Sequence, residues 1–402
     1  MKNTVIKVYS PDGTFMGTAN PTAISSFVKR LNGGLGEIVF TLGEKFDARI
    51  PIMALGNNIE VHVFDSDVIG QPSKLVYSGY VTMVERNLGA KESVTVHCLG
   101  HHTKLALDVV HDGDITKLLN YVVSPGQWFK WIIDNYRENN PDAKIHANET
   151  DFHNSGTDLN FTMQRKTYLD AIEMIRSMSD VGQTWYVDAN GRATFLEPGE
   201  VKHKLIFGRH FSDIKVVTNL EPVRTQLLYF DGQPSDVNSN YLYKRYTDQA
   251  AKAKYGARLE IWTRNGQVFV KDNESVADTH RARATHFLKD RSQPPVTVTC
   301  TVFDNNALMS STSDELGDKL LGYDIESIEP RDIVRFSGFD ETKVDFFRAD
   351  MMVTAVEYAF DSVKLTLDVL KNDLTDWQRQ AEMMQAENSI LDEVASFTDE
   401  DV

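Results

Sequence analysis

Cysteine is scarce: Cys98 and Cys300 are the only two in 402 residues. One possible pair is no disulfide framework, and both lie in strand-like segments, which fits synthesis in a reducing cytosol. No run of about 18 or more apolar residues occurs, so nothing in the sequence reads as a membrane span. The start, Met1-Lys2-Asn3-Thr4-Val5, enters a strand pattern at once and has no apolar signal-peptide core. Positive charge is also short, with 42 Lys and Arg against 58 Asp and Glu and a net charge of −16. That balance argues against gripping phosphates, because affinity for nucleic acid comes largely from basic residues neutralising the backbone. An acidic wall instead suits a channel through which nucleic acid slides without sticking.

Catalytic and metal spacings are missing too. There is no Gly-x-Ser-x-Gly elbow, no cysteine in a nucleophile's setting, and no Cys-x-x-Cys or His-Glu-x-x-His pair. His97, Cys98, His101, His102, His111, Asp112 and Asp114 form the densest group of metal-ligand residue types. Adjacent strand residues such as His97 and Cys98 point to opposite faces, so the group reads as a polar seam between a β-domain and a helical module. Asp65-Ser66-Asp67 lacks EF-hand spacing. Paired carboxylates such as Asp340-Glu341 follow from an acidic composition. The loop Asn32-Gly33-Gly34-Leu35-Gly36 has neither phosphate-loop spacing nor a helix after it, and reads as a mobile hairpin tip. The expectation is no catalytic residue, no metal, no cofactor and no enzyme.

What the chain does contain is an echo. Val81-Thr82-Met83-Val84-Glu85, followed by a turn around Leu88-Gly89-Ala90 and Ser93-Val94-Thr95-Val96, returns as Val353-Thr354-Ala355-Val356-Glu357, Phe360-Asp361 and Ser362-Val363-Lys364-Leu365. Leu55-Gly56-Asn57-Asn58-Ile59 precedes the first, and Pro330-Arg331-Asp332-Ile333-Val334 the second. Apolar and polar residues alternate at a period of two in both, the mark of half-buried strands. Two related β-modules in one chain are the reading, the later one interrupted by an insertion.

Taken in order, residues 1–102 read as a first β-module. It opens with a hairpin turning at Ser10-Pro11-Asp12-Gly13 and continues with strands Ile24–Leu31 and Glu37–Leu42 joined by the glycine loop. Residues 103–204 read as an α/β module, with helices over residues 115–123, 127–138 and 167–180 and a hairpin turning at Asn190-Gly191. Residues 205–370 form the second β-module, with strands resuming at Phe211 and a helical insertion at about 240–291. Residues 371–402 hold a C-terminal helix and an acidic tail. There Trp377, Met384, Asn388 and Leu391 follow a four-three spacing, either a coiled-coil seam between chains or one helix docked on its own chain. The fold class is mainly β with α+β parts: two related β-barrel-like modules, an intervening α/β module, a helical insertion and a C-terminal helix.

This order of modules resembles the hub proteins at the tail tip of bacteriophages, including the baseplate hub of contractile tails and the N-terminal structural part of siphophage tail-associated lysins. The resemblance covers about residues 1–370. It rests on residues 24–46 with Leu55-Gly56-Asn57 and Tyr77-Ser78-Gly79, on Thr167-Tyr168-Leu169-Asp170-Ala171-Ile172 leading into Trp185-Tyr186-Val187-Asp188, and on Tyr323-Asp324-Ile325-Glu326-Ser327-Ile328-Glu329-Pro330-Arg331-Asp332. Family members often carry Gly where this chain has Arg331, so a type I turn is expected here. The resemblance implies a virion protein made in the host cytoplasm: a homotrimer whose two modules per chain present six similar surfaces. Its implied partners are a six-fold tail-tube or distal-tail ring, the tape measure protein, and tip fibres or receptor-binding proteins, with the DNA exit channel running through it. No fused lysin is expected. The other classes are a carbohydrate-binding adhesin, which needs gathered exposed aromatics, and an unrecognised cell-wall hydrolase, which needs a pocket of convergent titratable groups.

Overall fold

The computed structural model describes residues 2–43, 53–65, 73–87, 93–110, 123–153, 166–179, 183–231, 242–263, 284–285, 288, 291–304, 323–338 and 350–369. The chain divides into two compact units, Met1–Lys215 with Val298–Leu370, and Val216–Thr297 with Lys371–Val402.

In the first unit the period-two segments become β1 (Lys2–Tyr9), β2 (Phe15–Ala19), β3 (Ala23–Ile24), β4 (Phe27–Arg30), β5 (Ile38–Leu42), β6 (Asn58–Asp65), β7 (Lys74–Asn87) and β8 (Ser93–Gly100). Seven of them form one sheet in the order β2-β1-β6-β7-β8-β5-β3. Ile38, Phe40 and Leu42 of β5 and Val94, Val96 and Cys98 of β8 all turn inward. At roughly 1.5–3 kcal/mol for each large apolar side chain, that one face supplies much of the module's stability.

Between the sheets lie α1 (Pro125–Asn139), α2 (Tyr168–Met178), β9 (Thr184–Val187) and β10 (Ala193–Leu196). Each helix begins on a hydroxyl cap: Ser124 accepts from the Gln127 N–H at 3.3 Å, and Thr167 from the Asp170 N–H at 3.0 Å. Trp128, Phe129, Ile132 and Ile133 of α1 share a core with Tyr168, Ile172 and Ile175 of α2, and Phe129 stacks on Phe195 at 5.2 Å. The β9–β10 hairpin turns at Asn190-Gly191, with Gly191 at φ +77 as a tight turn of this kind requires. The helix expected over residues 115–123 lies outside the described residues.

Next come β11 (Val201–Ile206) and β12 (Ile214–Thr218). The second unit contributes β13 (Gln226–Asp231), β14 (Leu242–Thr247), α3 (Gln249–Tyr255) and β15 (Leu259–Thr263). There β13 is central to a three-stranded sheet, and α3 starts on Asp248 and stops at Gly256, φ +81. Of the helix expected over residues 275–289, only Ala284, Thr285 and Leu288 are described, and all three are helical. The chain closes with β16 (Val296–Phe303), β17 (Ile333–Ser337), β18 (Met351–Tyr358) and β19 (Ser362–Val369). The C-terminal segment with Trp377, Met384, Asn388 and Leu391 lies outside the described residues.

The second large sheet runs β11-β17-β18-β19-β16-β12. Its inner four strands, β17-β18-β19-β16, repeat the order β6-β7-β8-β5 of the first sheet. The likeness extends to single hydrogen bonds. Both copies carry a β-bulge at the threonine of the echo, between Val81 and Met83 and between Val353 and Ala355. The Thr82 hydroxyl donates to the His97 carbonyl and the Thr354 hydroxyl to the Thr366 carbonyl, each at 3.2 Å. Ahead of each lies a turn of one pattern. Asn57 N–H donates to Ala54 O and Asp332 N–H to Glu329 O, both at 3.2 Å. Gly56 and Arg331 then donate to Val81 O and Val353 O. The duplication has limits: β1 runs antiparallel to β6, whereas β11 runs parallel to β17.

Two expectations fail here. Arg331 has φ +80, beside +84 at Gly56, so Glu329-Pro330-Arg331-Asp332 is a type II turn and not type I. Ile24–Leu31 is not one strand of a hairpin either. The chain switches sheets at Ser25-Ser26: β3 pairs with β5, while β4 leaves the first sheet and lies antiparallel on β18, with Arg30 opposite Ala355 and Phe27 opposite Tyr358.

Candidate functional site

β4 and the loop after it interlock the two large sheets with the β9–β10 hairpin. Phe27 is buried between both sheets, with ring centroids 5.0 Å from Tyr77 and 5.4 Å from Tyr358. Lys29 is buried as well, and its ammonium meets Glu329 Oε1 at 2.6 Å. The other Glu329 oxygen accepts from the Tyr186 hydroxyl of the α/β hairpin at 3.0 Å. One carboxylate therefore ties β4, the β9–β10 hairpin and the turn ahead of β17 together. Burial first, and then the charge of Glu329, holds the Tyr186 phenol well above its ordinary range, so it stays a donor.

The glycine loop continues this joint. Asn32 N–H donates to Trp185 O at 2.8 Å, Val187 N–H donates to Gly33 O at 3.0 Å, and the Trp185 N–H reaches Asn32 Oδ1 at 3.2 Å. The loop is thus an added edge on β9, not a mobile tip. Its glycines serve close approach: a Cβ at Gly34 would stand 2.7 Å from His102 Nδ1 and 3.0 Å from Val187 O. On the far side of the hairpin, Arg331 donates from Nε to Thr184 Oγ1 at 3.0 Å and from Nη2 to Thr194 Oγ1 at 2.9 Å. These bonds hold a non-glycine residue at positive φ. Burial brings the Arg331 guanidinium down to about 10, which leaves it charged at neutral pH.

Of the residues considered for metal binding, the described ones, His97, Cys98, His101 and His102, form no metal-holding group. His97 faces outward to Glu37 at 2.9 Å, while Cys98 faces the core, where burial raises its thiol far above the usual range. His101 and His102 follow on a short 3-10 helix, His101–Ala106. Burial lowers His101 to about 3, helped by Lys104 and Lys144, and lowers His102 to about 4. Each has a buried Nδ1 with no hydrogen-bond partner. His101 stacks on Tyr80, and His102 backs Gly34. His101 thus packs against β7 and His102 against the glycine loop. His111, Asp112 and Asp114 lie outside the described residues, and among the described residues no three His, Cys, Asp or Glu side chains are placed to hold a metal ion.

A joint of this kind ties distant segments of the chain together. Sequence reasoning missed Lys29, Glu329 and Arg331, whose partners are 300, 143 and 147 residues away. It also missed β11, although Val201-Lys202-His203-Lys204-Leu205 alternates plainly.

No family model and no curated protein matches this sequence. Solved structures do match in fold. The 43 kDa tail protein of prophage MuSo2 from Shewanella oneidensis superposes with a TM-score of 0.59 at 12% identity, covering 91% of this chain and 98% of that one. The tail protein from Neisseria meningitidis MC58 gives 0.55 at 12% identity over 91% and 96% of the two chains. The prophage tail protein gp18 from Listeria monocytogenes EGD-e gives 0.52 at 10% identity over 96% and 99%. The fold of this chain is that of bacteriophage tail proteins.

Proposed function

We propose that the chain is a structural hub of a bacteriophage tail tip or baseplate: a homotrimer that joins a six-fold tail-tube or distal-tail ring to a three-fold tip and lines the DNA exit channel. The observation that carries this reading is the duplicated four-strand unit, matched down to the bulge threonine and the turn ahead of it. Three chains with two such units present six similar surfaces, the geometry needed between a six-fold and a three-fold ring. Its division into modules at about residues 102, 204 and 370 and its tail partners, including the tape measure protein, belong to the same reading. The charge of −16 suits a wall that DNA passes without adhering.

The adhesin reading needs gathered exposed aromatics. Trp128 and Trp185 instead lie inside the α/β core, with Trp131 packed edge-on against Trp128. Molar mass in solution together with negative-stain imaging tests the hub reading. Three chains in a ring with six similar lobes are expected, and a monomer at tens of micromolar overturns it.

A further inference from the structure

We propose that the outer edge of β7 at residues 83–87 is a docking edge filled by an extended segment of a second copy of this chain. The proposal rests on the trimeric reading above and adds to it the place where copies meet. Its basis is a comparison of two equivalent edges. Along β18, β17 pairs only with Met351 and Met352. The Arg331 turn then bonds Val353, Leu31 N–H donates to Thr354 O at 2.9 Å, and β4 covers Ala355 to Tyr358. Along β7, β6 pairs from Lys74 to Tyr80 and the Gly56 turn bonds Val81. There the cover ends: among the described residues no strand pairs with that side of residues 83–87, while β8 holds the other side.

The alternation of an antiparallel ladder turns the backbone groups of Thr354, Val356 and Tyr358 toward β4. By the matched bulge, Thr82, Val84 and Arg86 turn theirs toward the open side. An open edge is a template for strand addition, and natural sheets seldom leave one uncovered without a charge or a twist to guard it. Here the bulge at Thr82 twists the start of the edge and Glu85 and Arg86 bring charge to it, yet the side chains around its start are apolar and exposed. Met83 is 43% exposed, and the turn beside Val81 carries Leu55 at 66%. Its Asn57 amide reaches the sulfur of Met16, itself 41% exposed, at 3.4 Å. In the matched register Val84 is half-buried and Arg86 exposed, whereas their counterparts Val356 and Tyr358, on the strand that β4 covers, are fully buried. The chain itself shows what fits such an edge: an extended segment that leaves its own module's sheet. One chain fills one of its two edges, so the other falls to another copy.

Amide hydrogen exchange on the assembled protein, read beside its molar mass, tests this. Val84 and Arg86 amides are expected to be protected in the oligomer to the degree of Val356 and Tyr358, and to lose protection on dilution. Val84→Pro removes one outward N–H and leaves the β8 ladder, and should weaken self-association by at least about tenfold. Met83→Lys, at an exposed side chain, is the second variant should the proline disturb folding, and should do the same. An oligomer whose residue 84 and 86 amides exchange like free backbone, or whose mass both variants leave unchanged, overturns the docking edge and leaves the hub reading standing. A wild-type monomer overturns both.

Discussion

Arg331 shows how one side chain keeps a backbone conformation it does not favour. An L-residue at φ +80 costs about 1–2 kcal/mol relative to glycine, and the guanidinium bonds to Thr184 and Thr194 offset that cost. Arg331→Ala keeps the strain and loses the bonds, whereas Arg331→Gly loses both. Chemical denaturation should therefore find the alanine variant less stable than the glycine variant by about 1 kcal/mol. At Gly56 an added Cβ meets nothing within 4 Å, so Gly56→Ala should cost only the backbone strain. Histidine gives the second prediction at this scale. His101 and His102 titrate near 3 and 4 when folded and near 6.5 when unfolded. The unfolded chain thus binds more protons between about pH 6.5 and 3, and stability falls as pH falls through that window. His101→Phe keeps the stack on Tyr80 and removes one titration. Its denaturation midpoint should change less between pH 7 and 4.5 than that of the wild type.

At the scale of elements, β4 and its loop decide how the modules hold together. Gly34→Ala drives a methyl into His102 and Val187 O, a clash of about 1–3 kcal/mol that should lower the midpoint of unfolding without altering β-sheet content by circular dichroism. Lys29→Met leaves Glu329 with Tyr186 alone and should cost about 2 kcal/mol. Many of the strands were legible, since β5, β8, β16 and β19 alternate cleanly and the echo paired the two copies, although the bulges and β11 were not read. What was not legible is which sheet a strand joins. Ile24 to Leu31 alternates as one run, and only the contact with Tyr358 shows that it is two pieces in two sheets. The glycine loop was misread for a related reason. A free tip and a tight approach to another backbone both call for glycine, and only the partner, here Trp185 and Val187, tells them apart.

At the scale of the whole molecule, the C-terminal segment gives a prediction of its own. Deleting residues 372–402 should leave circular dichroism of the β-modules unchanged while lowering the oligomer's mass or its binding to a tail ring, and unchanged mass and assembly would show that segment to be idle. The β4–β18 ladder has a further consequence, in time rather than in energy. Ser26 meets Glu357 across 331 residues of chain. At ribosomal rates of about 5–20 residues per second, the first module waits roughly 15–65 s for its partner strand. Throughout that interval Phe27 is exposed and two hydrogen-bonding strand edges are open on the nascent chain. On a polysome, a completed β18 has two candidates, its own tethered β4 and the waiting β4 of the next chain. The strand that joins the two sheets in the finished chain is therefore also the place at which an exchange of strands between neighbouring nascent chains would begin.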